Sequence, residues 1–464
     1  MKITNPTNQF IKSGQILIMP RIKSRFLTED VRPGKVIDTL AKYILVDGFH
    51  IVVDLERSKG SYMVDARNGR KYLDMYSYFS TLPIGHNHPK MREKDFLREL
   101  KAAALENPAN SDVYTEEYAH FVRVFSRLAL PKFMRHLFFI AGGALAVENA
   151  LKTAMDWKIR KNFSKGAKRE LGKKVIHFKE AFHGRSGYTL SLTNTSDTKI
   201  KYFPKFRWPR VLNPKLRFPV TEKVLMDVKK AEEKSLEQIE SSLKKYPKDI
   251  ACLIIEPIQG EGGDNHFRKE FLQSLERVCR ENDIMYVLDE IQTGFGATGK
   301  MWAFEHFGIK PDIIAFGKKS QICGIMVSKR VDEVKDNVFH VSSRINSTWG
   351  GNLVDMVRSR RYLEIIAEDN LLWNAERMGK YFVKRLWELA GKHPKVSNVR
   401  GCGCFVAFEM PSTKQRDSFR MRCWKNGLAV LASWPKSIRF RPPLTVNEEE
   451  IDEAIEKLEK SFRM

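Results

Sequence analysis

The stretch PDIIAFGKKSQICG, Pro311 to Gly324, sets two adjacent lysines where an apolar run ends. Ile313, Ile314, Ala315 and Phe316 read as a short buried strand, and Gly317 permits a sharp turn after it. A lysine there is delivered to the edge of a core, an expensive place for an ammonium. Either both side chains reach back to solvent, or one lysine is kept neutral or covalently occupied, as Schiff-base lysines are. Three other segments repeat the apolar run that ends in glycine: KKVIHFKEAFHG, DIACLIIEPIQGEGG and DIMYVLDEIQTGFG. Helical patterns lie between them, such as RKEFLQSLERVCRENDIM, with Phe271, Leu272, Leu275 and Val278 on one face. Strands alternating with helices predict an α/β fold whose parallel sheet is covered on both faces. Ligands of such sheets sit beyond the carboxyl ends of the strands, where each of these runs carries a polar residue.

Outside that region the pattern changes. SYMVDARNGRKYLDMYS has an Arg-Asn-Gly turn between two alternating runs and predicts a hairpin. LLWNAERMGKYFVKRLWELAGKHP and EEEIDEAIEKLEKSF predict helices flanking the strand-like GCGCFVAFEM, LAVLAS and SIRFRPPLTV. The expected organisation is a large domain over 91–350 and a smaller α+β domain over 351–464, to which 1–90 contributes.

Composition narrows the class. With 42% hydrophobic and 29% charged residues over 464 positions, the chain is globular rather than disordered. No run approaches the roughly 18 apolar residues of a membrane span. The N-terminal SGQILIMPRIK is too short in its apolar part for a secretory signal, and the six irregularly spaced cysteines predict a reducing cytoplasm. Cys402 and Cys404 form a lone C-x-C without a second pair, so no metal is expected. The charge is unusual: 80 basic against 56 acidic residues leave +24. KIRKNFSKGAKRELGKK (158–174) and the acid-free KIKYFPKFRWPRVLNPKLRF (199–218) hold much of it. Cations interleaved with aromatics would suit a single-stranded nucleic acid, or equally a surface loop or a channel for anionic ligands. No nucleic-acid-binding motif accompanies them, so nucleic acid is not the expected partner.

Asp289 ends the buried run VLDEIQTGFG, one strand–helix–strand unit before Lys318, so both can meet at one sheet edge. An acid there is a helix cap or the partner of a buried cation. A carboxylate opposite a Schiff-base lysine matches pyridoxal phosphate chemistry, where the acid keeps the pyridine nitrogen protonated. Gly142, Gly143 and Ala144 open an amphipathic helix whose amides could face a phosphate, although a glycine pair equally marks any helix start.

LDEIQTGFG followed by PDIIAFGK resembles the signature of the class III pyridoxal-phosphate aminotransferases. GGALAVENALK, AFHGRSGYTLSLTNT, EPIQGEGGDNHFR, INSTWGGNLVDMVR and IRFRPPLTV are similar to the members that act on the ε-amino group of lysine. The likeness runs from about residue 38 to 462. It implies fold type I, with a mostly parallel seven-stranded sheet, pyridoxal 5'-phosphate as cofactor, and a homodimer with active sites at the subunit interface. In the family's pattern the Schiff-base lysine follows a small residue, which selects Lys318 over Lys319. By the same resemblance Gly143 and Ala144 hold the cofactor phosphate, Phe182 stacks on its ring, Asp289 binds its nitrogen, and Gln292 lies near its phenolic oxygen. Thr348 reaches the phosphate of the other subunit, and Asn346 contacts substrate.

The implied reaction passes the ε-amino group of L-lysine to 2-oxoglutarate. Arg185 would take the carboxylate of lysine, Arg439 the α-carboxylate of the diacid, and Glu261 would cover Arg439 between times, its flanking glycines giving it freedom to move. Read singly, Arg185 is equally a loop arginine, Glu261 a turn acid and Arg439 a strand-face charge. Arg441 shares that strand face by period two, and only the family's register separates the two arginines. Phe79 stands where a smaller residue would be ordinary, and a bulkier wall would either favour a shorter amine, such as ornithine or 4-aminobutyrate, or merely repack. The reading from another class is a basic nucleic-acid-binding protein on the same fold without turnover.

Overall fold

The four glycine-ended runs form the parallel centre of a seven-stranded sheet in the computed structural model, which describes residues 30–464. The segment SGQILIMPRIK lies outside the described residues. The strands are β1 (Met134–Ile140), β2 (Lys174–Phe178), β3 (Arg210–Val211), β4 (Ile250–Ile255), β5 (Met285–Asp289), β6 (Ile313–Phe316) and β7 (Cys323–Ser328). They lie in the order β1-β7-β6-β5-β4-β2-β3. From β6 to β3 every pairing is parallel, whereas β7 runs antiparallel to both neighbours. The sheet is therefore mostly parallel, as expected. β3 and β7 carry no glycine-ended signature, and the two-residue β3 is too short to show a period.

Alternation along the central strands serves two cores. Leu253, Ile255, Leu288 and Ile314 pack with Phe271, Leu272 and Leu275 of the helix Lys269–Glu281. Their neighbours Cys252, Ile254, Val287 and Ile313 pack on the opposite face with Val147, Ala150, Leu151 and Trp157 of the helix Gly143–Ser164. A strand buried on both sides reads as a continuous apolar run, which is why these four stood out in the sequence.

Two smaller sheets lie beyond the large one. Ser397–Cys402, Phe405–Glu409, Ser437–Phe440 and Leu431–Ser433 form an antiparallel four-stranded sheet. Tyr62–Val64 and Lys71–Asp74 form the expected hairpin, and Leu428–Ala429 adds to it in parallel. The helices Leu371–Lys392 and Glu448–Arg463 match their amphipathic patterns. The chain divides into two compact units: residues 30–53 with 65–69 are the described part of one, and 54–64 with 70–464 make the other. The candidate site lies in the second unit, beyond the carboxyl ends of β2, β4, β5 and β6.

Candidate active site

Gly317 is the joint after β6. A Cβ there would lie 2.8 Å from Cys323 Sγ, so the chain can pass only without a side chain. Lys318 follows with φ +54°, a left-handed conformation that stores about 1–3 kcal/mol of strain in a residue of this kind. This turn separates the two lysines. Lys318 is half-buried and lines a cavity of about 560 Å³ with Gly143, Ala144, Phe182, Arg185, Asp289 and Gln292. Burial, reinforced by Arg439 and Arg441, lowers its amine to a pKa of about 8. Lys319 turns away: it is 1% exposed, and its Nζ donates to the hydroxyl and the carbonyl oxygen of Ser80. Burial lowers that amine to about 7. Of the pair, Lys318 alone reaches the cavity.

Asp289 ends β5 opposite Ala315 of β6, just ahead of Lys318. Its Oδ1 accepts from Ile291 N at 3.1 Å, and its Oδ2 lies 2.8 Å from His183 Nδ1. Burial by itself would lower the His183 pKa, but Asp289, with Glu256 behind it, raises it. The other ring nitrogen, Nε2, is buried without a hydrogen-bond partner. Glu256, directly after β4, is pushed up to about 7 by burial. Its two oxygens accept from Phe182 N and Gly260 N, each at 2.9 Å, and so fix both loops of the site. Gly142, with φ +106°, turns the chain into the helix Gly143–Ser164, whose first turn has no side-chain cap. Its leading amides are thus left for an anion. A Cβ on Gly184 would come within 2.6 Å of Ala144 Cβ, so glycine is what lets the Phe182 loop close on that helix end.

A second group of charged side chains, joined to the cavity through Arg185 and Gln292 in its lining, comes from four distant segments. Arg439, 3% exposed, donates from Nη2 to Glu261 Oε2 at 2.6 Å and from Nη1 to Gln292 Oε1 at 3.3 Å. Arg441 also reaches Gln292 Oε1, at 3.4 Å, but its closer partners differ: Nη2 donates to Asp264 Oδ1 at 2.8 Å, and its guanidinium lies 3.3 Å from the Phe405 ring centroid. Asp264 is 1% exposed in its side chain, whereas Glu261 keeps 21%, so the cover on Arg439 is the movable one. Sequence reasoning missed the second cation on Glu261, because Oε1 accepts from Lys199 Nζ. Against the effect of burial, Arg439 and Lys199 hold the Glu261 carboxyl below its ordinary range.

The expectation of a loose glycine hinge around Glu261 is corrected. A Cβ on Gly260 would lie 2.3 Å from Gln292 Oε1, and one on Gly262 would lie 2.0 Å from Glu180 O. Trp434 N donates to Glu261 O at 3.0 Å. These glycines allow close packing of a pinned backbone, so the freedom belongs to the Glu261 side chain. Arg185 is exposed into the cavity and has no ion-pair partner among the described residues. Glu148 steadies its loop, with Oε1 accepting from Ser186 Oγ at 2.7 Å and from Tyr188 N at 2.9 Å.

Three expected positions fall away from this cavity within one chain. Thr348 and Asn346 are exposed on the segment ahead of the helix Leu353–Glu368 and do not line it. Thr348 O accepts from Ser111 Oγ at 3.1 Å, and Asn346 Oδ1 from Ser347 N at 2.8 Å. Phe79 is 53% exposed, edge-on to Tyr76, and likewise outside the wall. Many cations of the two basic segments are paired internally: Lys161 and Lys165 with Asp283, Lys215 with Glu180, Arg217 with Glu409. Their aromatics stack on one another, Phe206 on Trp208 at 5.1 Å. Burial pushes the Cys402 and Cys404 thiols up to about 12, which disfavours the thiolate a metal would need.

The cavity's donors fit pyridoxal phosphate. An uncapped helix start suits its phosphate, the Phe182 ring a face of the pyridine, the Asp289 carboxylate a protonated ring nitrogen, and the Lys318 amine a carbonyl carbon. Comparison with known proteins agrees. Residues 43–462 match the family model described as aminotransferase class-III. An L-lysine-epsilon aminotransferase of Mycobacterium tuberculosis is 50% identical over 425 residues, 91% of this chain and 94% of that protein. One from Amycolatopsis lactamdurans is 47% identical over 428 residues, again 91% of this chain and 94% of its own. The solved lysine aminotransferase of M. tuberculosis superposes with a TM-score of 0.91 at 48% identity, over 93% of this chain and 99% of that one. The chain belongs to the class III aminotransferases, whose cofactor is pyridoxal phosphate.

Proposed function

We propose that this aminotransferase moves the ε-amino group of L-lysine to 2-oxoglutarate, forming 2-aminoadipate 6-semialdehyde and L-glutamate. The observation that carries the reading is the unequal state of two arginines: Arg185 stands open, and Arg439 is covered by Glu261. An ω-amine donor brings one carboxylate far from its reacting nitrogen, whereas a diacid acceptor brings two. Arg185 forks onto the carboxylate of lysine and leaves the ε-amine toward Lys318, while Glu261 keeps the charge of Arg439 matched. With 2-oxoglutarate, Arg185 takes the γ-carboxylate and Glu261 uncovers Arg439 for the α-carboxylate. The names of the relatives support lysine over ornithine or 4-aminobutyrate.

Pyridoxal phosphate, when bound, supplies an electrophilic carbon for the amine and an electron sink for the carbon–hydrogen bond that breaks. Gly143 and Ala144 would hold its phosphate, Phe182 would cover its ring, Asp289 would take the ring nitrogen, Gln292 would offer its amide to the phenolic oxygen, and Lys318 would carry it covalently. Once the substrate amine has displaced it from the cofactor carbon, the free Lys318 amine, lowered to about 8 chiefly by burial, would be the base for the proton on the lysine ε-carbon. Thr348 and Asn346, exposed in one chain, serve the site of a second copy in a homodimer, Thr348 at the phosphate and Asn346 at the substrate.

We read 91–350 as the large domain and 351–464 with 1–90 as the small one, although 1–29 lie outside the described residues and 30–53 with 65–69 belong to a separate compact unit. This is supported by the confinement of β1–β7 to 134–328 and by the pairing of Leu428–Ala429 with the Tyr62–Asp74 hairpin. A cytoplasmic setting is supported by six free cysteines.

The test is turnover with 2-oxoglutarate, following the cyclised semialdehyde by its colour with o-aminobenzaldehyde. Lysine is expected to give the highest kcat/KM. Equal or faster use of ornithine or 4-aminobutyrate would overturn the donor assignment.

A further inference from the structure

We propose that Lys199 is a specificity-determining residue that keeps Glu261 paired when Arg439 is handed to a dicarboxylate, so that it sets how readily the site passes from one-carboxylate to two-carboxylate substrates. The inference rests on the reading of Glu261 and Arg439 given above. Glu261 bridges two cations, with Oε2 on Arg439 and Oε1 on Lys199. Its backbone is pinned through Trp434 N and packed through Gly260 and Gly262, so it uncovers Arg439 only by side-chain rotation. A carboxylate that leaves one partly buried partner without finding another loses most of the pair's energy. Lys199 removes that loss, because it already holds the second oxygen and the carboxylate can pivot about it. The side chains of Lys199 and Glu261 keep 27% and 21% exposure, which leaves room for the pivot. The Lys199 ammonium also lies 5.4 Å from the centroid of the Phe182 ring, so the retreat position is beside a residue that lines the cavity. Lys199 stands on the single helical turn Asp197–Ile200, within a basic segment three of whose other cations are engaged elsewhere: Lys205 on backbone carbonyls, Lys215 on Glu180, Arg217 on Glu409.

The experiment uses the holoenzyme and four variants: Lys199→Met, Lys199→Arg, Glu261→Ala and the Lys199→Met/Glu261→Ala pair. Two quantities are read. One is the KM for 2-oxoglutarate against that for lysine. The other is the equilibrium Kd of glutarate, a five-carbon dicarboxylate that cannot react. Lys199→Met should raise the 2-oxoglutarate KM and the glutarate Kd about fivefold or more, and leave the lysine KM unchanged. Lys199→Arg should restore both, and in the Glu261→Ala background Lys199→Met should have no further effect. A Lys199→Met variant that weakens lysine and dicarboxylate alike overturns the proposal. So does a dicarboxylate effect that survives undiminished without Glu261, since Lys199 would then touch the ligand itself. Failure of the underlying reading looks different: Glu261→Ala would leave the preference between lysine and dicarboxylates where it was, whatever Lys199 does.

Discussion

The two walls of the candidate site, one lining the cavity and one reaching it through Arg185 and Gln292, are built on opposite principles. The wall of Asp289, His183, Glu256 and Lys318 comes from the carboxyl ends of adjacent parallel strands, and its Asp289, His183 and Glu256 are tied by hydrogen bonds to one another or to backbone amides. The wall of Arg185, Lys199, Glu261 and Arg439 is drawn from loops and from a second sheet, and its central contact is a partly exposed side-chain pair. A fixed wall suits a group that stays through every turnover. A changeable one suits two substrates that differ by a carboxylate. Substitutions in the first should therefore cost rate whatever the substrate, and substitutions in the second should shift preference.

The sharpest way to break that contrast is at the fixed wall. Lys318→Ala should lower kcat about 10²–10⁴-fold with every donor, and borohydride treatment should no longer attach the cofactor to this peptide. Lys319→Met should keep turnover, because that amine faces Ser80 rather than the cavity. Comparable losses at both positions would mean that the turn does not separate them. Asp289→Asn comes next, with kcat reduced about 10²-fold, again for all donors, as expected for loss of a charge aimed at the reacting group. It should also let burial dominate at His183, so that its imidazole, followed by NMR, deprotonates at lower pH than in the wild type.

The fixed wall is also the part that was legible in the sequence. Asp289 and Lys318 each end a doubly buried strand, and such strands announce themselves as apolar runs closed by glycine. Even there the choice between Lys318 and Lys319 needed the family's register, since a left-handed turn at a lysine leaves no trace in composition. His183 and Glu256 sat in plain view beside Phe182 and after β4, and their position at strand ends was the available signal. The changeable wall was less legible. Nothing local to Lys199 tells that it meets Glu261, because the contact spans two loops and depends on how they fold over the sheet. Its aromatic, acid-free surroundings pointed instead to a surface groove. The glycines around Glu261 misled in another way: tight packing and flexibility call for the same residue.

At the changeable wall the effects should be smaller and selective. Glu261→Ala leaves Arg439 permanently uncovered, which favours any substrate with a carboxylate beside the reacting carbon. The ratio of kcat/KM for lysine to that for glutamate as donor should fall about tenfold, mostly through KM for glutamate. An equal loss for both donors would place Glu261 with the fixed wall and erase the distinction.

The smallest effect concerns Lys319, which belongs to neither wall and tests whether burial alone governs an amine at this sheet edge. Folded, burial holds its pKa at about 7, whereas unfolded it returns to the ordinary value of 10.5. Between those values the unfolded chain binds the extra proton, so this residue makes the protein more stable as pH rises. Below about 7 the penalty for a buried ammonium is fully present. Lys319→Met removes the proton but keeps the length of the chain, and whatever it does to Ser80 is the same at every pH. In urea melts of the two proteins, the wild type should therefore gain about 1 kcal/mol on the variant between pH 7 and 8. A difference independent of pH would mean that Ser80 holds the amine in its charged form. The apolar edge would then be tolerating an ammonium by hydrogen bonding rather than by neutralising it.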